Sequence, residues 1–152
     1  MSDITYLEDI KVGTVHEFGH YDVSRDEVID FAKKYDPQPF HLSDDAAAKT
    51  HFKKLAASGW HTCAMMMAML VKHFTGQNTA SLGSPGVDEL RWKRPVYPGD
   101  KLRMKTQVVE VKPSSSRPEM GSVRSTVDVI NQDDVVVMSF ISIGLVATRP
   151  QT

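Results

Sequence analysis

The segment from Ser58 to Phe74 limits the folds open to this chain more than any other. Trp60, Cys63, Ala64, the methionines 65, 66, 67 and 69, Ala68, Leu70, Val71 and Phe74 fall within it, and Gly76 stops it. Wound as a helix, these residues leave almost no polar side, and a helix that is apolar all round is buried rather than laid on a surface. At 1.5 Å per residue the helix is about 22 Å long. Such a helix needs other elements to wrap it.

The second half of the chain offers those elements. Val87 to Val96 reads as a strand. From Lys101 to Lys112, Leu102, Met104, Thr106 and Val108 point one way while Lys101, Arg103, Lys105 and Gln107 point the other, the period of two expected of a half-buried strand. Val123 to Ile130 alternates again, and Val135 to Val146 is a long apolar final strand. Turn clusters separate them at Tyr97–Asp100, Lys112–Pro118 and Asn131–Asp134. Ahead of the central helix, Thr14 to Tyr21 reads as a strand. A short helix then opens on Ser24, with Glu27 completing a capping box, and presents Val28, Ile29, Phe31 and Ala32 before Pro37 and Pro39 end it. A further short helix is expected from Ser43 through Lys49. One early strand, helices, then a run of strands argues for an α+β fold with an antiparallel sheet.

At 152 residues the chain suits a single domain over 1–152, since domains most often run to about 100–150 residues. The formal net charge is −1 and no long basic run occurs, so the electrostatic footprint of a nucleic-acid binder is missing. One cysteine, Cys63, excludes an intrachain disulfide and a Cys-based zinc site. The acidic first residues do not read as a signal peptide, and no apolar stretch approaches the roughly 20 residues that cross a bilayer. A soluble, cytoplasmic protein with no membrane partner is the expectation. His16, His20, His51, His61 and His73 fall into no metal-binding spacing. Cys63 reads as a core residue, Lys53 and Lys54 as a solvated face, and Trp92 as packing.

Candidate chemistry lies in Tyr35-Asp36-Pro37-Gln38-Pro39-Phe40-His41. A carboxylate and an imidazole stand five positions apart in a loop stiffened by two prolines, which lowers the entropy lost in fixing it. Histidine exchanges protons near neutral pH, and a carboxylate beside it holds the ring or shares the proton work. On spacing alone, a helix-capping Asp and a surface His are the stronger reading.

This segment resembles the MaoC-like dehydratase motif, in which Asp, any residue, Asn, Pro, any residue and His follow in order; Asp36, Pro39 and His41 match. Ala56-Ala57-Ser58-Gly59-Trp60 resembles the family's segment at the start of the central helix. Arg94-Pro95-Val96-Tyr97-Pro98-Gly99-Asp100 resembles its Arg-Pro-Val-x-Pro-Gly-Asp segment. The chain departs from the pattern at Tyr35 (usually Gly or Ser), Gln38 (usually Asn) and Ser58 (usually His). The resemblance implies a hot-dog fold, an antiparallel sheet wrapped around a long central helix. It implies the chemistry of R-specific enoyl-CoA hydratases in fatty acid metabolism: water added to, or removed from, a trans-2-enoyl or 3-hydroxyacyl thioester on CoA or an acyl carrier, without a cofactor. Asp36 and His41 take the catalytic roles. Gly59 at the helix start supplies an oxyanion N–H, with Gln38 and Ser58 beside the substrate. A homodimer or higher homo-oligomer is expected. Two other functions stay open on the same fold: an acyl-CoA thioesterase, and a non-catalytic acyl-binding or partner hot-dog subunit. The methionines of the central helix read as core filler or as the lining of an acyl tunnel.

Overall fold

A computed structural model describes residues 3–151. Strand β1 (Val15–Asp22) leads into helix α1 (Arg25–Tyr35). A single 3-10 turn (Pro39–His41) and the short helix α2 (Asp44–Ala48) follow. The central helix α3 (Gly59–Thr75) precedes strands β2 (Ser81–Trp92), β3 (Lys101–Pro113), β4 (Met120–Ile130) and β5 (Val136–Ala147). All five strands join one antiparallel sheet in the order β1-β3-β4-β5-β2.

Strands β3, β4 and β5 form a meander of two hairpins. Leu102, Met104, Thr106 and Val108 are buried while their neighbours are exposed, as the alternation of that segment requires. Val127, Val129, Val137, Met138 and Phe140 line the same core. Against this face lies α3, through Met65, Met66 and Met69; full burial of such a side chain is worth about 1.5–3 kcal/mol. Helix α1 adds Val28 and Ala32, both fully buried. The sheet thus wraps the central helix in the hot-dog arrangement.

Three details differ from the sequence reading. Helix α3 is not covered all round: Trp60, Ala64, Met67, Ala68 and Val71 form an exposed stripe. Strand β2 begins at Ser81, six residues early, and ends at Trp92. Gly83-Ser84-Pro85-Gly86 stays in the sheet because β2 is an edge strand, where register shifts and a proline without an N–H are tolerated. After Trp92 the chain leaves β2 and crosses to β3, next to the opposite edge. Finally, Ser24 caps α1 by accepting from the Glu27 N–H at 3.2 Å, but the Glu27 carboxylate turns away to Tyr21 and His61, so the reciprocal half of the capping box is not made.

The crossover from β2 to β3 positions the site. Asp100, nearly buried, accepts from the Tyr97 N–H at 2.9 Å and from Gln132 Nε2 at 3.1 Å, which closes the Tyr97–Asp100 turn. The Val96 carbonyl then accepts from the Ala57 N–H at 2.8 Å, and the Tyr97 hydroxyl donates to the Phe52 carbonyl at 2.7 Å. The segment before α3 is therefore held along its length.

Candidate active site

Asp36 is the C-cap of α1, its N–H bonded to the Ala32 carbonyl. Pro37 forbids another helical turn, and Pro39 opens the 3-10 turn that carries His41. The two side chains separated by this loop meet: His41 Nε2 lies 3.5 Å from Asp36 Oδ2. His41 is 5% exposed, with Phe40 edge-on to its ring.

The ring is oriented from its far side. His41 Nδ1 lies 2.7 Å from the Ala56 carbonyl oxygen. A carbonyl only accepts, so Nδ1 carries the proton, and in the neutral ring Nε2 presents a lone pair toward Asp36. Leu55, on the preceding residue, donates its N–H to Asp44 Oδ1 at 2.9 Å. The strip from Leu55 to Ser58 is thus tied to α2, to His41 and to the crossover.

Each Asp36 oxygen has its own donor. Gln38 Nε2 donates to Oδ1 at 2.7 Å, and the Ser58 hydroxyl donates to Oδ2 at 2.7 Å. Burial raises the carboxyl's pKa, but the Gln38 and Ser58 bonds and the nearby His41 outweigh it and hold Asp36 below the usual carboxylate value. Asp36 is ionised at neutral pH. Ser58, wholly buried, also caps α3 by accepting from the Trp60 N–H at 3.2 Å.

Gly59 opens α3. The hydrogen bonds of this first turn run from His61 and Thr62 to the Ser58 carbonyl and from Trp60 to the Ser58 hydroxyl; none uses the Gly59 N–H. A Cβ at Gly59 would stand 2.4 Å from the Trp92 ring, so the glycine is needed for packing whatever else it does. Tyr35 is exposed, its ring against Phe31, and takes no part in the cluster. Asp36, Gln38, His41 and Ser58 are therefore gathered at one place, with Gly59 next in the chain. The Ala56 carbonyl, which orients His41, carries no side-chain signal and could not have been read from the sequence. Among the described residues no group of three or more His, Cys, Asp or Glu side chains could hold a metal ion.

The family described as MaoC like domain matches residues 10–132, a span that includes all of these side chains. The chain belongs to the MaoC-like domain family. A MaoC-like dehydratase from Rhodospirillum rubrum superposes on this MaoC-like chain with a TM-score of 0.85 at 38% identity, over 96% of this chain and 99% of that one. The R-hydratase PhaJ1 from Pseudomonas aeruginosa superposes with a TM-score of 0.70 at 26% identity, over 95% and 86%. The 3-hydroxybutyryl-CoA dehydratase of Methylorubrum extorquens is 29% identical over 131 residues, 86% of this chain and 80% of that protein. The hot-dog fold and the family of hydratases and dehydratases agree with the motifs at Asp36–His41, Ser58–Gly59 and Arg94–Asp100.

Proposed function

We propose that this protein is a hydro-lyase that adds water to a trans-2-enoyl thioester, or removes it from a 3-hydroxyacyl thioester, with CoA esters as the leading substrates. The observation that carries the reading is the pairing of two acceptors. His41 Nε2 and ionised Asp36 Oδ2 face each other at 3.5 Å, too far for a good mutual hydrogen bond; whenever the ring is neutral, with its proton on Nδ1 toward the Ala56 carbonyl, both present acceptors. A water molecule has two O–H donors, one for each. Held so, it directs an oxygen lone pair away from the dyad toward a substrate carbon.

In hydration the water oxygen bonds to the β-carbon as one of its protons passes to the dyad. The alkene electron pair moves toward the α-carbon and the thioester carbonyl, forming an enolate. The dyad then returns a proton to the α-carbon, and the carbonyl is restored. Donors aimed at the developing oxyanion contribute about 3 kcal/mol each. The Gly59 N–H, at the positive end of α3 and outside its hydrogen-bond pattern, suits that role. Ser58 and Gln38 keep Asp36 ionised and in place.

The reading includes a second copy of the chain. Strand β2 is a sheet edge with exposed Leu82, Val87 and Trp92. Trp92 meets Trp60 edge to face at 5.0 Å, so this edge runs on into the bare stripe of α3. Continuous apolar surface of this kind marks an interface.

Crotonyl-CoA followed at its enoyl absorbance, with free thiol measured alongside, tests the chemistry. Loss of the conjugated band without thiol release is expected. Asp36→Asn and His41→Ala should each lower kcat by about 100-fold or more, the scale of general acid–base catalysis. Thiol release matching the loss would instead make the protein a thioesterase. No turnover across a series of enoyl chain lengths would leave an acyl-binding subunit.

A further inference from the structure

We propose that Glu27 is a positioning residue for the dyad: its carboxylate locks helix α1, which ends on Asp36, against helix α3, which begins at Ser58. A single oxygen makes the lock. Glu27 Oε1 accepts a short hydrogen bond from the Tyr21 hydroxyl of β1 and one from His61 Nε2 of α3 at 3.1 Å, so three elements meet there. His61 is 2% exposed, and its ring stacks flat on Phe31, one turn after Glu27 on α1, with centroids 4.6 Å apart and planes 8° from parallel.

The node has one proton arrangement. An ionised carboxylate only accepts, so both the phenol and His61 Nε2 donate. Among the described residues His61 Nδ1 is buried without a partner, and Glu27 is the polar anchor of that ring. Burial pushes the His61 pKa down against the pull of Glu27. The Tyr21 bond, above all, holds Glu27 below the usual carboxylate value. Burial and then Glu27 push Tyr21 up to about 12. A neutral imidazole, a carboxylate and a neutral phenol persist through neutral pH.

Direction makes this node necessary. Val28 and Ala32 seat α1 in the core, but apolar contact is non-directional and lets one helix slide along another. Hydrogen bonds to one oxygen do not. Glu27 and Asp36 are nine residues apart, about 13 Å along the helix, so a shift of α1 at Glu27 is carried to Asp36. A slide of about 1 Å would break the 2.7 Å bond from Ser58, and misplacement of that size costs about 100-fold in rate.

The kinetic part of the test rests on the hydratase reading; the structural part does not. Full-length wild type, Glu27→Ala, Glu27→Gln and Tyr21→Phe are compared by carboxyl carbon NMR of Asp36 across an acid titration, and by kcat and KM on crotonyl-CoA. In Glu27→Ala the Asp36 midpoint should rise as the Ser58 bond loosens, and kcat should fall by about 100-fold with KM little changed. Glu27→Gln keeps an oxygen that accepts both bonds and should restore most of each. Tyr21→Phe removes one bond and should show the same changes in smaller measure, which keeps the test open should Glu27→Ala not fold. A folded Glu27→Ala protein whose Asp36 titrates as in wild type would overturn the proposal, as would a Glu27→Gln protein impaired as much as Glu27→Ala. A wild type that turns over no enoyl thioester would sink the hydratase reading and leave the carboxyl titration to decide on Glu27.

Discussion

Ser58 serves two elements with one hydroxyl: it caps α3 and donates to Asp36. Donors to a carboxylate favour its ionised form, so removing one raises its pKa. In Ser58→Ala the acid limb of kcat/KM for hydration should therefore move to higher pH; an unmoved limb in a pH–rate profile would show that the bond does not govern Asp36. Loss of the cap should also lower stability by about 0.5–2 kcal/mol in urea unfolding. Stability carries its own pH signature. The folded Asp36 value lies below the ordinary one, so its ionised form contributes stability above the unfolded-chain value of about 3.9. That contribution is lost as pH falls through the folded value. Gln38→Ala should shrink it, and acid denaturation should then begin at higher pH.

Between elements, the contact of α3 with β2 turns on Gly59 and Trp92. A Cβ 2.4 Å from an indole ring forces the ring to move, so Gly59→Ala should destabilise the protein by about 1–3 kcal/mol. Trp92→Ala opens the space that the new methyl needs. The double variant should be less destabilised than the two single changes added together, a coupling read from a double-mutant cycle in urea; strict additivity would mean that the ring does not confine Gly59. The sequence made some of these elements readable and concealed others. Helix α3 was legible because its apolar run between Ser58 and Gly76 is set locally, and strand β3 because its alternation is. The start of β2 was not, since Gly83-Ser84-Pro85-Gly86 has the chemistry of a turn and joins the sheet only because β5 lies alongside it. The Asp36–His41 pairing was legible only through the motif that the loop shares with the MaoC-like family, since the spacing by itself fitted a capping Asp and a surface His better. The anchors of His41 and Glu27 were not: the Ala56 carbonyl and the His61 ring reach them across 15 and 34 residues. The local Ser24–Glu27 spacing pointed to a capping box, and two tertiary partners outbid the local one.

At the scale of the molecule, the bare face formed by β2 and α3 predicts assembly. Light scattering should give about twice the 17.0 kDa chain mass for the C2 pairing commonest among oligomers. Val87→Arg, placing a charge on an exposed residue of the β2 edge, should shift the protein toward monomer; a wild type that is monomeric at high concentration would refute the second copy.

The sheet order also sets a schedule. Strands β3, β4 and β5 pair with sequence neighbours, while β2 pairs with β5 from Trp92↔Met138 to Ser81↔Val146 and β1 with β3 across the still longer spans from Asp22↔Lys101 to Val15↔Gln107. Long loops must close before those pairings gain anything, which slows them. The meander should therefore form first and the two edges dock late. Truncations in the meander, such as Val129→Ala, should slow refolding, whereas those in β2, such as Leu90→Ala, should mainly hasten unfolding in stopped-flow measurements. A chain growing from its N-terminus completes β2 well before β5 exists to receive it, so the strand that borders the candidate interface, like β1 over a still longer span, spends part of synthesis with an unpaired edge.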